Sequence, residues 1–346
     1  MQITKRDFGK TKDALAVEEY TLDNGKMRVS VITYGAAIRS IELSCADGQK
    51  RDVVLGFDGV AGYEGHDAYF GATIGRFANR IKGGRFMLDG REVSLNLNNG
   101  KCHLHGGFKG FDKKVFRASV RGETLLLTYE SPDMEENYPG NLTLDVAYTL
   151  DESNNLKINY TARADKDTIV NITNHSYFNL NGQQGDILSH KLKLYADEFL
   201  EFDEEGITTG AIMKTAGTPL DFSDLKKVAE AAQSTWPQIA CVLGVDHAFV
   251  LDGENKKELR PAATLKSPDE KRSLTVLTDM PAVHVYSANY LAGKFTGKEN
   301  VAYGKNAAIC FEPEYYPDAV LHENFPSPVL RKGEEYNHNI VYQFEF

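Results

Sequence analysis

Apolar and polar residues alternate with period two through most of the chain, interrupted by short clusters of Gly, Asn, Asp and Pro. That rhythm places successive side chains on opposite faces of a strand, and the clusters supply the turns between strands. Residues 14–22 lead through Asp23-Asn24-Gly25 into residues 27–33, a first predicted hairpin. Residues 85–88 and 91–97 flank Asp89-Gly90, a pair that supplies the positive φ values a two-residue turn demands. Residues 142–150 and 156–162 face each other across a longer loop at 151–155. Further strand-like runs occupy 191–200, 273–278, 282–287, 307–312 and 338–346. Helical periodicity is confined to 223–235, where Leu225, Val228, Ala229 and Ala232 share a face behind Asp221 and Ser223 as caps. Many short strands without alternating helices predict an all-β chain of antiparallel sheets, packed as a sandwich or a barrel.

No linker, low-complexity tract or fixed-period repeat divides the chain, so residues 1–346 read as a single domain with a substrate cleft on a concave face. Its 42% hydrophobic and 25% charged residues are ordinary for a folded protein large enough to need no staples. The formal charge is 39 − 49 = −10, with no basic block, which argues against nucleic acid and anionic membrane as partners. Charged residues interrupt the N-terminal segment where a signal peptide needs an apolar run, and no stretch is long enough to span a bilayer. Cys45, Cys102, Cys241 and Cys310 lie far apart without a CxxC pair and read as free thiols. The expected compartment is the cytoplasm.

Four segments concentrate polar groups in apolar, Gly-marked surroundings. In Gly75-Arg76-Phe77-Ala78-Asn79-Arg80-Ile81 the arginines offer planar forks of donors to a ligand, or equally pair with surface acids at a strand end. In His103-Leu104-His105-Gly106-Gly107, alternation puts both imidazoles on one side of a strand. That pair serves a metal or, with no further ligand set beside it, a polar ligand bound by one histidine. Thr173-Asn174-His175-Ser176-Tyr177-Phe178-Asn179-Leu180 carries six hydrogen-bonding side chains among apolar neighbours. It is either a structural network or a place for His175 to exchange protons near neutral pH. In the fourth segment, Cys310 to Asp318, Glu312 ends an apolar strand that Pro313 closes. Glu312 is a candidate general base, whereas Glu314 and Asp318 read as an acidic surface loop. No nucleotide-binding motif or nucleophile elbow is present. A carboxylate, imidazoles and an arginine can together move protons on an uncharged polar substrate without a cofactor.

At these segments the chain resembles the aldose 1-epimerases, or galactose mutarotases. The matching stretches are 69–81 (YFGATIGRFANRI), 104–111 (LHGGFKGF), 173–180 (TNHSYFNL), 217–222 (GTPLDF), 245–251 (VDHAFVL) and 311–330, including YYPDAV and NFPSPVL. The resemblance implies a large antiparallel β-sandwich with a sugar cleft, interconverting the α and β anomers of an aldohexose such as galactose or glucose. It implies Glu312 as general base and His175 as general acid, with Asn79, Arg80, His105, Tyr177 and Asp246 at or beside the sugar. It implies no metal and no cofactor, and a monomer or weak homodimer. Two positions depart from the pattern: His284 stands where members often carry glutamine or an aromatic, and Glu-Pro-Glu at 312–314 replaces Glu-Thr-Gln. Both bear on which hydroxyls are read, and His284 joins the expected binding residues. Two rival readings remain at this point. A glycoside hydrolase would pair Glu312 with a second carboxylate such as Asp246 across a scissile bond. A non-catalytic sugar-binding protein would have no use for Glu312 and His175.

Overall fold

The computed structural model describes residues 1–252 and 258–346. Strand ladders are antiparallel throughout these residues, and three sheets hold most of the strand residues. A nine-stranded sheet runs in the order Arg117–Arg121, Thr124–Ser131, Leu142–Leu150, Asn155–Ala164, Tyr336–Glu345, Ser273–Thr278, Arg260–Lys266, Lys191–Leu194 and Lys226–Lys227. Leu142–Leu150 shows the cause most plainly: every second residue, from Leu142 to Leu150, is buried. The C-terminal strand is inserted between Asn155–Ala164 and Ser273–Thr278, so the two halves of this sheet are joined by the last residues of the chain.

A five-stranded sheet built from Gln2–Lys10 through Lys50–Asp52 and a six-stranded sheet supply the facing layer. The six-stranded order is Tyr177–Phe178, Ile309–Glu314, Ala282–Tyr286, Asp246–Val250, Glu198–Phe202 and Thr208–Lys214. Val29 and Ile41 from the five-stranded sheet, Phe249 and Phe311 from the six-stranded sheet, and Val146 and Ile158 from the nine-stranded sheet meet in one apolar cluster. The expected sandwich is therefore present, with the core between its layers. The hairpins at 23–25 and 89–90 form as expected, and Asp89 and Gly90 both take positive φ.

Gln2–Lys10 adds an edge strand whose mostly exposed residues show no alternation. Three expectations are corrected. Residues 191–200 are two strands, Lys191–Leu194 in the nine-stranded sheet and the start of Glu198–Phe202 in the six-stranded one, because the chain changes layers between them. The helix expected over 223–235 shrinks to Val228–Ala232. Lys226 and Lys227 pair with Leu192 and Lys191, and the N–H groups of Val228 and Ala229 donate to the carbonyls of His190 and Leu188, so the sheet takes the first turn. The strand expected to end at Glu312 runs on through Pro313 to Glu314. Its neighbour on one side reaches only Ile309 and Cys310, so one edge is open at Pro313 and the missing N–H breaks no ladder there.

Arg76 corrects the expectation of a surface ion pair. It is 2% exposed and donates to the carbonyls of Ser131, Pro132, Pro139 and Gly140 at 2.8–3.1 Å. A buried guanidinium satisfying four carbonyls ties the turn after Thr124–Ser131 to the segment that carries Asn79 and Arg80. Arg76→Met strands those acceptors without donors. Because hydrogen bonds to charged groups are worth about 1.5–3 kcal/mol each, we expect a loss of at least ~3 kcal/mol in urea-induced unfolding.

Candidate active site

The six-stranded sheet sets out one face of the site by its own period. Glu312 and Glu314 are two residues apart on one strand and therefore project to the same side. His284 lies directly opposite Glu312 in the next strand, and Asp246 is opposite Tyr286 one strand further. His284 Nε2 and Asp246 Oδ1 are 2.7 Å apart. His175 approaches from the short link between Thr173–Asn174 and Tyr177–Phe178. Its N–H donates to Ala72 O, and its carbonyl accepts from Gly71 N–H, both at 2.9 Å. Only glycine fits at 71, since φ is +69° and a Cβ would meet Ile38 O at 2.0 Å. Held this way, His175 Nε2 is 3.6 Å from Glu312 Oε1, although 137 residues separate the two in sequence (312 − 175).

Asn79 organises the opposite flank. Its backbone N–H donates to His105 Nδ1 at 3.0 Å, and its carbonyl accepts the His105 N–H at 3.2 Å. Its side chain caps the Arg80 N–H through Oδ1 at 2.9 Å and donates from Nδ2 to Glu314 Oε1 at 3.0 Å. Because Nδ1 of His105 accepts, its neutral ring carries the proton on Nε2 and offers a donor. Tyr69 packs edge-on against His105 with ring centroids 4.7 Å apart, and stacks with His175 at 5.8 Å. Tyr177 also stacks with His175, at 5.0 Å.

These groups line a cavity of about 330 Å³. Asn79, Arg80, His105, His175, Tyr177, Asp246, His284 and Glu312, the residues singled out in the sequence, all lie on its wall. His103 does not. His105 takes a positive φ of 51°, so the strand alternation stops before it and the two imidazoles part. His103 Nδ1 lies 2.7 Å from Asn96 O, and its Nε2 lies 2.6 Å from the Tyr138 hydroxyl, a satisfied structural role. Glu314 and Asp318 are not a surface loop: they are 0% and 1% exposed, and Asp318 accepts the Lys82 N–H at 2.9 Å. Sequence reasoning missed Tyr69, Tyr290, Lys294 and Phe295 on the wall. Tyr69 belongs to a stretch already singled out, whereas the other three sit where no alternation marks a strand.

The aldose 1-epimerase family model matches residues 18–343. The chain is 42% identical to the galactose mutarotase of Bos taurus over 346 residues, covering 99% of each. It is 38% identical to the aldose 1-epimerase of Escherichia coli (strain K12), covering 93% of each. The crystal structure of galactose 1-epimerase from Lactobacillus acidophilus NCFM superposes with a TM-score of 0.87 at 33% identity, covering 100% of this chain and 99% of that one. The chain belongs to the aldose 1-epimerase family.

Electrostatics of this family member are dominated by burial. Burial pushes the Glu312 carboxyl well above its ordinary range, and the neighbouring Glu314 and Asp246 push the same way against Arg80. Burial also raises Glu314, with the Asn79 hydrogen bond opposing. Burial presses hardest against ionisation of Asp246 too, but the His284 hydrogen bond together with the nearby His284, Arg80 and His247 outweighs it, and its pKa is lowered. His175 is pushed down to about 3 by burial, with His284 adding to the effect. Ligand atoms of His105, His175 and Glu312 lie within 4.8 Å of one another, the spacing a metal ion needs. The Asn79 N–H on His105 Nδ1 opposes that use, because a metal on Nε2 would force the ring proton onto Nδ1 against another donor. In the unliganded protein we expect His175 to stay neutral as pH falls from 7 to 5, well below the ordinary histidine midpoint of about 6.5. Two-dimensional ¹⁵N NMR of the imidazoles checks this; a midpoint near 6.5 for His175 contradicts it.

Proposed function

We propose that the chain is an aldose 1-epimerase acting on an aldohexose such as galactose or glucose, with Glu312 and His175 as its proton-transfer couple. The observation that carries the assignment is the 3.6 Å approach of His175 Nε2 to Glu312 Oε1 on the wall of one cavity. Glu312 takes the proton of the C1 hydroxyl while the His175 imidazolium gives one to the ring oxygen O5. The C1–O5 bond breaks to leave the open aldehyde, rotation about C1–C2 presents the other carbonyl face, and both transfers reverse. Arg80, His105 and Asp246 hold the ring hydroxyls, with the donor on His105 Nε2 and the carboxylate of Asp246 offering complementary ends of a hydrogen bond. Asn79, Tyr177 and His284 complete the wall around them.

The pair passes between two states during this sequence. Before ring opening it is an ion pair, and with the aldehyde present it is a neutral carboxylic acid and a neutral imidazole. Burial raises the proton affinity of Glu312 and lowers that of His175, which favours the neutral pair. Desolvation therefore pushes the couple toward the state in which the ring is open.

The same reading takes the chain as one unit spanning residues 1–346, since the nine-stranded sheet collects strands from Arg117–Arg121 to Tyr336–Glu345. It places a monomer or weak homodimer in the cytoplasm. Cys45, Cys102 and Cys310 are buried free thiols, which suits a reducing compartment, and no described helix is long and apolar enough to cross a membrane.

Glu312→Gln keeps the shape of the side chain and removes the base. Positioned proton transfers contribute roughly 10²–10⁴-fold, so polarimetric relaxation of fresh α-galactose should fall by that order toward the buffer rate. His175→Asn should lose most of kcat, and Arg80→Ala should act partly through KM. A fully active Glu312→Gln protein ends the assignment, and release of reducing sugar from aryl glycosides would move the chain to hydrolysis.

A further inference from the structure

Glu314 is fully buried yet does not line the cavity. It shares a strand face with Glu312, two residues on, a rise of about 6.7 Å. Its Oε1 accepts Asn79 Nδ2 at 3.0 Å and lies 3.9 Å from His284 Nδ1. Neither its Oε2 nor His284 Nδ1 has a hydrogen-bond partner. One side chain thus abuts both flanks of the site: Asn79, which orients His105, and His284, which holds Asp246. An amide would fill the same space and bond Asn79 without placing a second acid beside the base. We propose, granting Glu312 as the base, that Glu314 is a positioning residue that braces Asn79 and His284 from behind the cavity and sets how strongly Glu312 holds a proton.

The groups around the two carboxyls fix the sign. Asp246 on the strand Asp246–Val250 adds negative charge, and Arg80 from Arg80–Lys82 opposes it. His284 stands between Asp246 and Glu314. Burial holds His105 and His175 neutral, so neither offsets the charge. Burial likewise keeps Tyr177 and Cys310 protonated on the near strands, and Tyr336 and Tyr342 protonated on Tyr336–Glu345. Arg80 supplies positive charge set against Asp246 and Glu314. A like charge two residues away favours the protonated form of Glu312. A tighter hold makes Glu312 a stronger base toward a weakly acidic sugar hydroxyl.

Glu314→Gln and Glu314→Met separate the two roles. Glutamine keeps an acceptor for Asn79 and removes the charge; methionine removes both. Carbon-13 NMR of the glutamate carboxyls, with Glu312→Gln identifying the Glu312 signal, reports the titration directly, and polarimetry reports kcat/KM against pH. In Glu314→Gln the Glu312 midpoint and the acid limb of kcat/KM should both move down by about one pH unit, and the plateau should drop several-fold with the weaker base. Glu314→Met should show the same displacement with a raised KM. In the wild-type protein the Glu312 signal should show two inflections, the second belonging to Glu314. A single inflection, or a midpoint unmoved in whichever variant folds, overturns the proposal. Absence of anomer exchange in the wild-type protein would instead remove the function assigned to Glu312, while the carboxyl titration would still report the coupling.

Discussion

A carboxyl and an imidazole 3.6 Å apart, both almost wholly out of water, is the arrangement on which the rest of this molecule depends. Two such groups on an exposed surface would solvate separately and form a weak, mobile pair. Taken into the interior, each loses its hydration, and the charged state of the pair becomes costly unless the surroundings replace that hydration. The scaffold replaces it only in part. Glu312 Oε2 and His175 Nδ1 are left without partners, the one on the proposed base and the other on the proposed acid. Both belong to residues on the cavity wall, where a polyhydroxylated substrate would supply hydrogen bonds that the protein withholds.

Holding that arrangement requires a rigid frame, and a sheet provides one. Three adjacent strands place Glu312, His284 and Asp246 at fixed register positions, so their relative heights follow from ladder hydrogen bonds rather than from loop conformations. His175, Asn79 and His105 come from irregular backbone, and each is tied down differently. His175 is pinned on both sides by backbone bonds to Ala72 and Gly71. Asn79 and His105 exchange bonds with one another in left-handed conformations, and Gly106 follows where a Cβ would sit 1.8 Å from Gly75 O. Gly106 is there because backbone passes against backbone, and Gly107 because the Glu136 side chain lies where its Cβ would be, which explains why a Gly-rich run borders the site without cradling a phosphate.

Much of the fold was legible because burial on one face imposes period two, and the run from Leu142 to Leu150 is the clearest example. Legibility failed where tertiary partners overrode local pattern. The 223–235 stretch has helical spacing, but sheet pairing at Lys226–Lys227 takes its first turn. At the site, the chemistry-bearing residues were visible as polar groups inside apolar runs. Glu314 was not, because Pro313 reads as a strand end when the open edge beside it cannot be seen. Alternation predicts that His103 and His105 share a face, and one positive φ, at His105, breaks it. Tyr290, Lys294 and Phe295 on the cavity wall come from a segment without periodicity, so nothing in the residues marks them.

The charge count around the couple explains why an enzyme of this design can dispense with a large electrostatic field. Anomer exchange creates no net charge: one proton leaves O1 as another arrives at O5. A strongly positive or negative cavity would favour one protonation state of the couple and stall the return half of the cycle. Here Arg80 faces Asp246, and Asp246 is bonded to His284, so the nearest charges oppose one another. Burial of the couple then shifts the balance in one direction, toward the neutral pair, and Glu314 tightens the hold of Glu312 further. In the proposed cycle, neutral His175 and protonated Glu312 are the partners of the open aldehyde. The same pair, running backwards, closes the ring on either face, so one set of charges serves both anomers.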